Sequence, residues 1–571
     1  MNATTPPDWA HCGDCRGVRA AGRASCLAHL ERPQQDAYMG SLRPGDDIDL
    51  RGTVIDADLL ERLLAALLDP AEGRIRIGTA RFDEATFTGK ASFERAAVAG
   101  EAHFRGATFT QDVAFKGAEF ARPADFIQAR FEQDADFDGA SFGDSLTFHG
   151  AAFAKRAMFS RASFAQSAYF NWATFDENAW FAFTTFEAEA GFGDAVFGGT
   201  AGFAEARFAG KADFARASFR ATHSLGSFTC DGTVDLSHAG FTEPVTIEAA
   251  AARVICERTR WESTATLRLR GATLDLTDAV LVQPVAVTAH PAQSPGVSVA
   301  SLRGVDCAML TLADVDLTTC RFAGAFHLDQ LRLEGRWTFN SPPPHRIWRW
   351  GIPYSWTQRQ VLEEERQWRA LPTRPRALRR GWGDPPASPH EVPGLATLTI
   401  VYRQLRKARE DAKDEPGAAD FYYGEMEMRR HSHRPRQAER WLLQAYWLLS
   451  GYGLRASRAL AWLLLAMMAT VMLMMGFGIP QDSTKQEVTR VYADGRWKTV
   501  IDKPDPKNPT GDRFTGKRLD KAVTVTLNSV VFRSSGQDLT TAGAYIEMIS
   551  RITEPVLLGL AVLAVRGRVK R

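Results

Sequence analysis

Residues 106 to 120 read "GATFTQDVAFKGAEF". Phe109, Phe115 and Phe120 follow one another at steps of six and five, and two places before them stand Ala107, Val113 and Ala118. The same beat runs from residue 82 to residue 219, opening with Phe82, Phe87, Phe93, Val98, Phe104 and Phe109 and passing through Phe115, Phe120, Phe126, Phe131 and Phe137. Of 26 such positions 25 are Phe, and 23 of the residues two places earlier are Ala, the exceptions being Val113, Leu146 and Thr184. A spacing of two puts both side chains on one side of an extended strand, so Ala and Phe point inward and the polar residues between them outward. A long helix fails on geometry: steps of five and six rotate a helix by roughly 140° and 240°, which splits Phe between two faces. The frequent Gly argues against it as well. Self-similarity at so short a period marks a stacked solenoid.

These residues resemble the pentapeptide-repeat family, whose pattern is A-x-[LF]-x-x. The stretch above and "GKADFARASF" at 210–219 carry it. The resemblance implies a mainly β fold, a right-handed quadrilateral β-helix with four such units per coil. Twenty-six units then make about six and a half coils, about 30 Å long at a strand spacing of roughly 4.8 Å. The regular part spans 80–225 and a degenerate part 226–337, where Leu312, Leu317, Phe322, Leu328 and Leu333 restore the period. Ahead of it, 46–79 contains the amphipathic helix "DADLLERLLAALLDP" (56–70), with acidic residues at its N-terminus, placed to cap the open end of the solenoid.

A chain of 571 residues exceeds a single core, so several domains are expected. A net charge of +2 gives no global field for nucleic acid, and residues 80–225 carry 19 acidic and 14 basic side chains, an ordinary solvated surface rather than a DNA mimic. "MNATTPPDWAHCGDC" has no signal-peptide pattern, which predicts a cytoplasmic N-terminal half. Within 1–45, Cys12, Cys15, Cys26 and His29 form CxxC followed by CxxH. Thiolate and imidazole at this spacing can close a tetrahedral structural Zn²⁺ site in a segment with no core of its own. Cys230, Cys256, Cys307 and Cys320 are expected in the core. The string GxSxG at 139–143 lies inside the repeat and lacks the strand–turn–helix context of a nucleophile. No Walker loop, dinucleotide fingerprint or HExxH is present, so no catalytic residues are assigned and an enzyme is not expected.

Residues 338–393 form a Pro-, Trp- and Arg-rich linker with one helix in "TQRQVLEEERQWRAL", draped on a surface. Residues 394–454 hold juxtamembrane helices, with a break near Glu415-Pro416-Gly417. "DAKD", "ADFYYGEMEMRR" and "WLLSGYG" resemble a helical segment of bacterial membrane-attached pentapeptide-repeat proteins. Glu425 and Glu427 are expected on a solvated helix face. "RQAERWLLQAYWLLSGYG" suits a helix at the membrane interface.

Residues 455–571 contain two apolar stretches. The first, 459–479, carries no charged side chain and is long enough to span the hydrocarbon core. The second, 545–565, carries Glu547, Arg551 and Glu554, spaced to share one helix face and pair along it. Arginines before the first span and basic residues after the second place both termini in the cytoplasm, across an inner or plasma membrane. Between the spans, "LDKAVTVTLNSVVF" suits a short re-entrant helix. The order of span, helix, Gly-containing turn and span resembles the two-span pore module of potassium-type channels. Its filter position holds Arg533, Ser534, Ser535, Gly536, Gln537 and Asp538 instead of T-V-G-Y-G, which does not support potassium selection. Two functions follow: a membrane-anchored scaffold or sensor with a cytoplasmic protein partner, or an oligomeric, non-potassium-selective channel gated by the solenoid.

Overall fold

The computed structural model describes residues 9–290, 296–343, 348–349, 352–353, 358–373, 381–434, 436–480, 487–493, 496–502, 506–531, 533–534 and 536–569. It divides into two compact units, Met1–Val392 and Pro393–Arg571.

The first unit is built on a parallel β-solenoid of about 12 turns. Short strands stack directly on the equivalent strands of the next coil, as in Ala80↔Ala102 and Phe109↔Phe131, so one coil takes up four steps of the Phe pattern. The backbone links are short: Phe82 N donates to His103 O at 2.7 Å and Phe104 N to Asp125 O at 2.7 Å. Every eleventh residue from 84 to 216 has positive φ, beginning with Glu84, Arg95, Gly106 and Gly117. Each sits in a turn closed by a hydrogen bond such as Ala85 N to Phe82 O at 3.0 Å. These tight turns lie inside the shorter steps of the pattern, and the wider bends take the longer ones. Two kinds of corner, alternating around the coil, are the physical origin of the alternating steps.

The interior is aromatic. Phe82, Phe104, Phe126, Phe148, Phe170, Phe192 and Phe214 form one column, with Phe104–Phe126 centroids 4.7 Å apart and their planes parallel. Phe93, Phe115, Phe137 and Phe159 form another, which meets the first edge-on. Offset and edge-to-face contacts of this kind add about 0.5–1.5 kcal/mol per pair beyond area burial. The inward Ala residues, Ala80, Ala85, Ala91 and their successors, are equally buried and leave the rings their room.

In the later coils the register shortens, with Val245 opposite Ala265 and Ala265 opposite Val285, and then lengthens across Val285↔Leu310. Long strands such as Ser224–Asp235 and Val245–Ile255 replace pairs of short ones. The period blurs in sequence for this reason, while the stack continues: Leu312, Leu317, Phe322 and Leu328 are buried, and Leu333 is half-buried opposite Leu312. Cys230, Cys256, Cys307 and Cys320 are all buried and unpaired, as expected of core residues.

Both ends of the stack are covered. After helix α1 (Arg32–Ser41), strands Ile48–Asp49 and Val54–Ile55 already pair with Ala80–Arg81 and Thr86–Phe87. The ladder thus starts before the repeat pattern becomes visible in the sequence. Helix α2 (Ala57–Ala66) is inserted within this first coil rather than ahead of it. Asp56 caps it by accepting from Leu59 N at 2.8 Å, and Leu59, Leu60, Leu63 and Leu64 are buried. It ends before the hairpin of Leu68–Asp69 with Arg74–Ile77, so it is shorter than the apolar pattern suggests.

At the far end, the linker helix α3 (Glu363–Ala370) docks on the last coils. Glu364 Oε1 accepts from Phe322 N at 2.5 Å and Ala323 N at 2.9 Å, in the place where a further coil would supply a carbonyl. Burial pushes the Glu364 carboxyl above the ordinary glutamate range. An acid whose folded pKa is raised contributes stability that is complete below its unfolded pKa and lost as pH rises through the folded value. The first unit should therefore lose stability as pH rises above the ordinary glutamate range, and Glu364→Gln should flatten that slope in denaturation curves recorded at a series of pH values.

Candidate functional site

Near the N-terminus, His11 bridges Val18 and Cys12 N donates to Gly17 O at 2.8 Å, which closes a tight hairpin around Cys12 and Cys15. A short 3₁₀ turn, Leu27–His29, brings the second pair alongside. The four donor atoms of Cys12, Cys15, Cys26 and His29 lie within 4.8 Å of one another. His29 Nδ1 is 3.5 Å from Cys12 Sγ and 3.4 Å from Cys26 Sγ, and the Cys15 and Cys26 sulfurs are 3.5 Å apart. A tetrahedral ion with thiolate and imidazole ligands sets edges of roughly 3.5–3.8 Å, and these three distances lie close to that range, so the cluster could hold a metal ion. Gly17 permits the approach: a Cβ there would meet Cys26 Sγ at 3.1 Å and Thr53 Oγ1 at 2.9 Å. The segment is tied to the solenoid by Val18 N to Arg51 O at 2.7 Å and by Arg16–Glu84 at 2.7 Å.

In the second unit, helices α4 (Leu395–Asp411) and α5 (Glu415–Ser432) are separated where expected, with Asp414 capping Gly417 N at 3.1 Å and Pro416 in the first turn of α5. The solvated face expected for Glu425 and Glu427 is not observed. They are 3% and 5% exposed, because arginines and a tyrosine from neighbouring segments close over them. Glu425 pairs with Arg403 and Arg406, both at 3.0 Å. Glu427 holds Arg430 at 2.9 Å and accepts from the Tyr452 hydroxyl at 3.2 Å. Burial pushes the Tyr452 phenol well above its ordinary range, and the neighbouring Glu427 charge adds to it. Arg430 and Arg458 also lie over the Trp447 ring of helix α6 (Ala438–Ser450), at 4.6 and 5.2 Å. Trp441 and Leu442 on the same helix are exposed.

Helix α7 (Ala456–Leu473) continues through a π-helical turn, Met474–Gly478. Helix α8 (Gly516–Val530) follows the connecting segment, and helix α9 (Thr541–Val569) ends the unit. The segments Ala456–Gly478 and Thr541–Arg566 are long and apolar enough to cross a membrane. Arg551 pairs with Glu547 at 2.7 Å. Glu554 does not extend that pairing: it is fully buried, with Oε1 2.8 Å from the Thr470 hydroxyl of α7.

The loop between α8 and α9 leaves Arg533, Ser534, Gly536 and Asp538 exposed and Gln537 half-buried, while Ser535 lies outside the described residues. Gly536 takes a left-handed conformation, φ 63°. The loop is anchored just beyond, at Thr540, which the sequence did not mark. Its hydroxyl donates to Phe477 O at 2.6 Å and accepts from Gly543 N at 3.0 Å, and its N–H donates to Gly478 O at 3.0 Å. A Cβ on Gly543 would run into the Gly478 backbone. Arg518 of α8 caps the same helix end, donating to Met475 O at 2.8 Å and Ile479 O at 2.7 Å.

Thus the four N-terminal ligands converge, whereas the loop residues and the charges on α9 form no common centre among the described residues. The buried pairs around Glu427 generate a direct test. Glu427→Ala leaves buried Arg430 without a carboxylate and the Tyr452 hydroxyl without this acceptor, and should destabilise the second unit by about 3 kcal/mol in detergent unfolding. Removing Glu439, whose partner Arg429 is half exposed, should cost less than about 1 kcal/mol.

A family model described as "Pentapeptide repeats (9 copies)" matches residues 77–119 and 115–163. No curated protein and no solved structure matches the chain significantly. The match falls wholly on the regular coils and none falls on the two apolar helices. The coils from residue 77 to residue 163 thus match the pentapeptide-repeat family model.

Proposed function

We propose that the protein is a membrane-anchored scaffold or sensor: α7 and α9 hold it in a cell membrane with both termini cytoplasmic, and the solenoid presents its faces to a cytoplasmic protein partner. It carries out no catalysis in this reading. The tie from Thr540 to Phe477 and Gly478 is the observation that carries it, because it pins the end of the loop after α8 to the end of the first apolar helix. A pore loop needs its backbone free to line a conduit.

The alternative, an oligomeric channel not selective for potassium, is favoured by one feature: α8 is short, amphipathic in sequence, and buries Ala522, Val525, Thr526 and Ser529 beside the two spans. The readings separate in lipid bilayers. The anchored scaffold predicts an electrically silent protein that runs as a monomer in mild detergent. A conductance altered by Glu554→Gln, from a protein that runs as a larger assembly, would reverse the preference.

For the N-terminal cluster the metal proposed is Zn²⁺, in a structural role, since Cys12, Cys15, Cys26 and His29 fill all four positions. Purified protein should contain one zinc per chain by elemental analysis. Cys26→Ser or strong chelators should release it and loosen residues 9–30, read by proteolysis, while the coils after residue 80 keep their stability.

A further inference from the structure

Between the late coils and α3 lies a cavity of about 560 Å³, large enough for a small metabolite. One wall is the outward face of the solenoid. The column Ile255, Asp275, Ser301 and Arg321 runs up this face, each residue in register with the next. Beside it, the hydroxyls of Thr273 and Ser298 are 3.1 Å apart, and those of Thr277 and Ser301 are 2.8 Å apart. The other wall is the start of α3, through Glu363 and Gln367.

Three guanidinium groups surround the space, from Arg253, Arg303 and Arg321. Among the described residues the first two have no side-chain hydrogen bond or ion pair, and Arg321 has only a 3.5 Å contact with Glu391. Of the two carboxylates present, Glu363 is held by Arg366 at 2.5 Å. Asp275 Oδ1 accepts from the Thr277 hydroxyl at 2.6 Å and its N–H at 2.9 Å. Two arginines without an ion pair, and Arg321 held only at 3.5 Å by Glu391, thus share the space with one carboxylate that lacks a cationic partner, beside a wall of hydroxyl groups. At another position on the solenoid a cation is neutralised within the surface, where Lys211 bridges Asp213 and Asp235.

We propose that this cavity binds a small soluble solute bearing phosphate groups. Guanidinium forks match phosphate oxygens in pairs, and the Thr and Ser hydroxyls suit the remaining oxygens. This site goes beyond the scaffold reading and gives a sensor something to detect. Its success or failure is independent of membrane anchoring.

The test is calorimetric titration of the full chain in detergent with sodium pyrophosphate. Saturable binding at one site per chain is expected. Arg253→Ala with Arg303→Ala should weaken it at least tenfold. Arg303→Lys, which keeps the charge and loses the fork, should weaken it less. Arg258→Ala, beside Asp278 on a neighbouring corner, should leave it unchanged. These arginines are exposed, so the fold should survive, and unfolding temperatures check this. Absence of saturable binding, or binding equal in the double variant, would overturn the proposal. So would binding of phosphatidic acid in mixed micelles that pyrophosphate does not displace, because the phosphate would then come from lipid.

Discussion

Parallel stacking of Phe on Phe between successive coils is the contact on which the first unit depends. Each ring lies on its counterpart one coil later at a centroid separation near that of Phe126–Phe148, 4.6 Å. The spacing equals the rise between hydrogen-bonded strands, so side chains and backbone demand the same coil length. An insertion of one residue would break both together. Truncating such a ring costs about 3–5 kcal/mol, which explains why the repeat tolerates nearly any outward residue yet almost no inward exception. The stack must nevertheless end twice, and each end needs its own device: an inserted amphipathic helix at the start, a buried glutamate on two backbone amides at the finish.

The second unit solves a different problem. Its helices bury charges instead of rings. Glu425 is met by Arg403 and Arg406 of α4, Glu427 by Arg430 and Tyr452 where α5 meets the chain after α6, and Thr470 meets Glu554 between the two apolar helices. Such pairs contribute little net energy but are costly to break, so they fix which helix faces which. Thr540 and Arg518 do the same at the end of the first apolar helix by occupying carbonyls that the helix leaves open. A protein that only anchors a solenoid needs this rigidity, and so does one that transmits a signal from it.

The regular coils were legible from residue types alone, because period, core and strand direction are one pattern there. The convergence of Cys12, Cys15, Cys26 and His29 was legible too, since they are close in sequence. The first coil was not: Ile48 and Ile55 lie inward without a Phe to mark them, and α2 interrupts the beat. The late coils blurred because two short sides merge into single long strands. Glu425 and Glu427 were misread because their partners, Arg403, Arg406 and Tyr452, come from other segments. Thr540 and Thr470 gave no signal at all, as a hydroxyl that meets a distant carbonyl or carboxylate leaves no local pattern. The arginines of the late coils are likewise scattered from residue 253 to residue 321, and only the coil brings them to one cavity.

One continuous ladder runs from the first strands near residue 48 to the last near residue 334. Amide hydrogen exchange of the full chain in detergent tests it directly. A single stack predicts that the inward amides of Phe126 and Phe148 exchange slowly, and that those of Leu276 and Leu302 in the blurred coils, which are bonded to the next coil in the same way, are protected alike. Rapid exchange throughout residues 226–337, beside a protected block at 82–219, would contradict it.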